Sequence, residues 1–231
     1  MIARDQLDYT KAENYFQQGS LLAQQASSAE LNALAIARKA MVSLVQKRTD
    51  EAASLYDVAR EIARRSSPAL RAYLAMGYAE AQGRLGDPGC LASLTEARTM
   101  LKRVDPSEDY LLLQHSTRCS EHAVDDCWGL CHVMIGKPKQ AIEYYEQLDK
   151  KLDLSMTRTR GRLYIQHAEA LYASKDLSCC FYASEGLKLA RSIGSQNNIR
   201  RVRELASKLA RQYPGDARVK DLIQEVQGNW H

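Results

Sequence analysis

Proline is scarce in this chain, at 5 residues, and phenylalanine scarcer still, at 2. With glycine at 12 and Ala, Leu, Arg, Lys and Glu abundant, the composition favours long helices and argues against a collagen-like or turn-dense β protein. No run approaches the ~18 uncharged apolar residues of a membrane span. The first residues, Met1-Ile2-Ala3-Arg4-Asp5-Gln6-Leu7-Asp8, lack the apolar core of a signal peptide, so a cytoplasmic protein is expected. Charge of one sign is also missing. Lys plus Arg number 32 against 28 Asp plus Glu, and a net +4 is too small to argue for nucleic acid. Apolar residues at 45% exclude global disorder.

The chemistry of catalysis is absent from the motifs as well. There is no glycine-rich phosphate loop, no catalytic carboxylate pair and no nucleophile elbow, so no enzyme and no cofactor is expected. Six cysteines include the adjacent Cys179-Cys180 and no CxxC pair, unlike a secreted disulfide framework. Cys119, His122, Cys127 and Cys131 are the one set with loose ligand-like spacing for zinc. The alternative places Cys127 and Cys131 in a core as small buried residues. A thiolate nucleophile paired with His122 or His132 would need a neighbouring base and an oxyanion site that nothing in the sequence provides.

What is present is helical period, almost end to end. The spacing predicts helices over 8–26, 30–47, 51–64, 68–85, 90–102, 126–135, 138–152, 157–173, 176–193, 198–212 and 216–227. Thr49 or Asp50 is expected to cap the third, Pro68 to open the fourth and Asp216 to cap the last. Residues 104–125 have no clear period and read as one long irregular loop.

The helices repeat. Ala52, Cys90, Ala141 and Cys180 each open a second helix of a pair. They recur at intervals of about 40 residues, with one longer gap that holds the loop. Tyr56 and Ala59, Leu94 and Ala97, Tyr145 and Leu148, and Ser184 and Leu187 follow at the same spacings. The first helices carry small residues, Ala40, Gly129 and Ala168, where a partner must approach closely. Gly129, Gly136, Ala141 and Tyr145, with Trp128 beside them, resemble the tetratricopeptide repeat. That resemblance implies an all-α, right-handed superhelical solenoid of about five helix pairs over 8–227, closed by the helix at 216–227. Such stacks bind proteins or peptides on their inner, first-helix face. Asn32, Arg38, Gln82, His132, Arg162 and Gln166 are the candidates there by helix membership.

A second resemblance lies in the last hundred residues. Its carriers are Leu152-Asp153-Leu154-Ser155-Met156-Thr157-Arg158, His167-Ala168-Glu169-Ala170-Leu171-Tyr172 and Gly186-Leu187-Lys188-Leu189-Ala190-Arg191-Ser192-Ile193-Gly194-Ser195. These look like the C-terminal repeat module of bacterial Xre-type transcriptional regulators. The resemblance implies a sensor or oligomerisation module, possible homodimerisation, and DNA contact by a separate unit that residues 1–7 are too few to form. A free-standing adaptor scaffold is the alternative. The basic set Arg158, Arg160, Arg162, Arg191, Arg200, Arg201 and Arg203 reads as a binding surface or as a solvated face bridged to Glu169, Glu185 and Glu204.

Overall fold

The structure is a computed structural model, and it describes residues 8–105 and 120–228. Among the described residues it is all-helical, with eleven helices and no strand. They are α1 (Tyr9–Gln25), α2 (Ala29–Val45), α3 (Thr49–Ile62), α4 (Pro68–Arg84), α5 (Cys90–Leu101), α6 (Glu121–Met134), α7 (Pro138–Lys151), α8 (Thr157–Ala173), α9 (Cys179–Ser192), α10 (Gln196–Gln212) and α11 (Ala217–Gln227). None of the described helices is long and apolar enough to cross a membrane.

Side-chain caps explain five of the eleven starts among the described residues. Side chains of Asp8, Ser28, Ser67, Ser120 and Asp216 accept backbone N–H bonds at the starts of α1, α2, α4, α6 and α11. Each satisfies a donor that the first turn leaves without a partner. Two expectations are corrected here. Neither Thr49 nor Asp50 caps α3; both are already helical, Arg48 is the N-cap, and no side chain bonds the first turn. The irregular stretch is shorter than the sequence suggests, because Ser120 caps α6 and residues 121–125 are helical. Residues 106–119 of the expected loop, with Cys119, lie outside the described residues.

Each helix packs on the next in the chain. The second set of contacts skips one helix: α2 meets α4, α4 meets α6, α6 meets α8 and α8 meets α10. The core follows this order in consecutive clusters. Ala33, Ala37 and Ala40 of α2 pack with Tyr56 of α3 and Tyr73 of α4. Cys90, Leu94 and Ala97 of α5 pack with Val124 and Cys131 of α6. Tyr145 and Leu148 of α7 pack with Leu163 of α8, and Ile165 of α8 with α9, α10 and α11.

Small residues set the approach. A methyl group at Gly129 would come within 2.4 Å of Tyr145 Cε1, and one at Gly77 within 2.2 Å of Tyr56 Cε1. In α9 the expected set Cys180, Ser184 and Leu187 holds at two positions and fails at Ser184, which is only half-buried. Cys180 and Leu187 are buried as expected, but the close approach falls at Gly186, where a methyl would lie 2.7 Å from Ile165 Cγ1, so Cys179, Ala183 and Gly186 share the packed face with them. Ser184 instead donates to Glu225 of α11. Helix ends use the left-handed conformation repeatedly, at Gly86, Gly136 and Gly194 and also at Ser27, Lys47 and Lys175.

Candidate functional site

The alternate helices that touch one another carry charge where a core would carry hydrocarbon. Asp126 on α6 and Glu80 on α4 are both buried. Arg162 Nη2 on α8 forms an ion pair with Asp126 Oδ2 at 3.0 Å. One turn and two turns further along α8 stand Gln166 and Glu169, on the same helical face. Arg201 on α10 grips Glu169 with two bonds, Nε to Oε1 at 3.1 Å and Nη2 to Oε2 at 2.7 Å, a fork that suits guanidinium geometry. Glu80 is bridged within its own helix by Arg84 at 2.9 Å. The result is a line of ion pairs running α6–α8–α10.

Behind that line lies Tyr145 of α7, fully buried. Burial raises its pKa well above the ordinary tyrosine value, and the Asp126 and Glu169 carboxylates add to the shift. Its hydroxyl makes no hydrogen bond within the protein, nor do Gln166 Oε1 and Arg162 Nε. Burial opposes the charge of Arg201, yet Glu169, and more weakly Tyr145 and Glu80, outweigh it and hold its pKa above the usual guanidinium range. Glu80 therefore reaches Arg201 electrostatically although α4 and α10 are far apart in sequence. Polar groups that are buried, charged and incompletely bonded are costly to a fold. Their concentration on one set of helices is what marks this face as the candidate site.

Of the six residues expected from sequence, the structure brings two together there, Arg162 and Gln166. The other four serve packing elsewhere. Asn32 accepts from Ser20 Oγ at 2.6 Å and ties α2 to α1. Arg38 lies over the Tyr73 ring at 5.2 Å. Gln82 donates to Asp87 and accepts from Ser93, bracing the turn into α5. His132 is buried against Trp128 and Tyr144, with ring centroids at 5.9 and 5.5 Å. Burial, helped by Lys137, lowers its pKa. Asp126 and Glu80 were missed as site residues, and Tyr145 was read only as core. Acidic residues on an otherwise apolar helical stripe were the available signal.

The basic set divides accordingly. Arg162 and Arg201 are paired as above, and Arg200 faces Glu204 at 3.6 Å. Glu185 pairs with Lys188. Cys127 and Cys131 are buried in the core, where the Cys131 thiol donates to the Ala79 carbonyl at 3.5 Å. Among the described residues no group of three or more His, Cys, Asp or Glu is arranged to hold a metal ion. A separate cleft of about 360 Å³ is lined by Asp57, Arg60, Glu61, Arg64, Arg71, Leu74 and Glu96, whose acidic and basic groups are equal in number and leave it without net charge. No protein-family model matches the chain, and no curated protein is significantly similar to it.

Proposed function

We propose that this chain is a peptide-binding repeat module, a tetratricopeptide-like right-handed superhelix of five helix pairs, α2–α3 through α10–α11, with α1 leading and α11 closing the stack. Its ligand lies along the first helices of the pairs. The observation that carries this reading is the polar face of α6, α8 and α10, where the Gln166 amide sits between two ion pairs with its buried oxygen unbonded. A side-chain amide offers both a donor and an acceptor, the pattern of a peptide main chain. The flanking pairs fix its surroundings without adding net charge, so selectivity comes from hydrogen bonding and shape rather than from bulk attraction.

The likeness of the last hundred residues to Xre-type regulators supports a sensing role, in which occupancy of the inner face shifts the relative setting of the helix pairs. That part of the proposal is analogy.

Fluorescence anisotropy with labelled random hexapeptide pools tests the reading. Wild type is expected to retain a subset of the pool, and Gln166→Ala to weaken that subset by about tenfold, the worth of one or two hydrogen bonds. Because the buried side chain also packs, the variant is expected to melt lower than wild type, and binding is compared well below both midpoints. Equal binding by Gln166→Ala, or no retention by wild type, would sink the proposal.

A further inference from the structure

Among the described helices α1 packs closely on α2 alone, and the side chains it buries are Ala12, Ser20 and Ala23. Three large apolar side chains of the same helix stand in solvent. Tyr15 is 57% exposed, Leu21 51% and Leu22 64%. Tyr15, Gln18, Leu22 and Gln25 are all exposed, and they follow one another at steps of three, four and three residues. That is the spacing of a coiled-coil seam, the stripe along which two helices meet.

The stripe also lacks charge. From Asn14 to Ala29 there is no charged residue, in a chain of which 26% is charged. The carboxylates that bound this stretch are engaged within their own chain: Glu13 pairs with Arg48, and Glu30 accepts from the Ser67 N–H at 3.2 Å. Aromatic and apolar groups with charge depleted are the composition of an interface core, and exposed apolar groups set together mark an interaction surface.

Charge and residue order say what covers it. Each copy of the chain carries a net +4, so two copies repel, and their contact is least opposed where neither bears charge. The stripe is also its own complement. When two α1 helices run antiparallel with Tyr15 of each opposite Leu22 of the other, the two Gln18 side chains meet near the two-fold axis, and each amide offers a donor and an acceptor. Lys11 then falls opposite Ala26, whereas parallel pairing would set Lys11 against Lys11.

We propose that α1 is the contact between two copies of this chain, an antiparallel helix pair along Tyr15, Gln18, Leu22 and Gln25. The pairing stands apart from the peptide-binding reading, because none of these residues belongs to the Asp126–Arg162–Gln166–Glu169–Arg201 line.

Sedimentation velocity of the full chain over a concentration series tests it. Wild type is expected to rise from 26.0 kDa toward twice that mass. Tyr15→Glu and Leu22→Lys each place an unpaired charge against an apolar side chain of the other copy, and each should weaken association about tenfold or more. Both positions are exposed in the single chain, so the melting point of a dilute sample should hold. An equimolar mixture of the two variants sets the new carboxylate opposite the new ammonium and should regain dimer. Gln18→Glu leaves every apolar group in place and sets like charges near the two-fold axis, so it should weaken association as well. Wild type that stays at 26.0 kDa throughout would overturn the proposal, because the face would then belong to some other molecule. So would variants that associate as wild type does, or a mixture that associates no better than its components.

Discussion

Arg162 on α8 and Asp126 on α6 form an ion pair at 3.0 Å in which the side chains are 17% and 5% exposed. The carboxylate is thus almost wholly withdrawn from water, and the guanidinium is its compensation. Removing one partner strands the other.

Arg162→Met is therefore expected to destabilise the fold by about 3 kcal/mol, at the lower end for a buried pair because Arg162 keeps some contact with solvent. Urea unfolding would show it as a lower midpoint. The double variant Arg162→Met/Asp126→Asn should recover most of that loss. A double variant no better than the single one would mean that the pair does not act as a unit.

Gly129 faces Tyr145 so closely that any side chain must displace the ring. Gly129→Ala should cost about 2 kcal/mol through overpacking, read from thermal or urea unfolding. Tyr145→Phe should behave differently. It removes a buried hydroxyl that bonds nothing, so stability should hold or rise slightly at neutral pH.

The same hydroxyl sets the alkaline limb. Burial, then Asp126 and Glu169, raise the Tyr145 pKa in the folded chain above its usual value near 10. A raised folded pKa contributes stability that is complete below pH ~10 and is lost as pH rises above it. Tyr145→Phe should make the alkaline decline shallower in a pH series of urea midpoints. It should not flatten it, because burial also raises the Cys131 thiol above its ordinary value.

On the acid side the sign reverses. Burial lowers the pKa of His167 although Glu146, Asp149 and Asp176 pull it upward, and burial with Lys137 lowers that of His132. Both imidazoles are folded in the neutral form. Their contribution is complete above pH ~6.5 and is lost as pH falls through their lowered values, since the unfolded chain takes up protons first. His167→Phe keeps a ring against Tyr182, whose centroid is 4.0 Å away, and should soften the acid decline.

Ser120→Ala tests the start of α6. Loss of the bond from Ala123 N–H, 3.2 Å long, should cost about 1 kcal/mol and loosen residues 121–125, visible as faster amide exchange there.

That start shows how far the sequence could be read. Ser120 followed by Glu121 is a helix-start signal, but it closes a polar stretch whose lack of period hid it. Gly129, Ala141 and Tyr145 gave the helix pairing, because close approach demands small residues opposite large ones. In α9 the two adjacent cysteines are both buried, and the close approach to Ile165 is made at Gly186, a glycine that the helical spacing did not single out. Helix membership alone places Arg162 and Gln166 on α8, where they share one face. Asn32 and Gln82 satisfied the same criterion yet were drawn into local hydrogen bonds with Ser20 and Ser93. Periodicity tells which helix a residue occupies, but not whether its polar atoms are already spoken for.

Ser27, Lys47 and Lys175 hold the same left-handed backbone that glycine holds at Gly86, Gly136 and Gly194. A residue with a β-carbon is strained in that conformation by roughly 1 kcal/mol or more. Half of these helix ends are thus built below their best stability, and the shortfall is spread along the chain rather than concentrated at the ion pairs. It amounts to a reserve of thermal tolerance. Glycine at those three positions would raise the melting point without touching a residue of the proposed binding face, and a hardier scaffold of that kind would leave room for variation along that face.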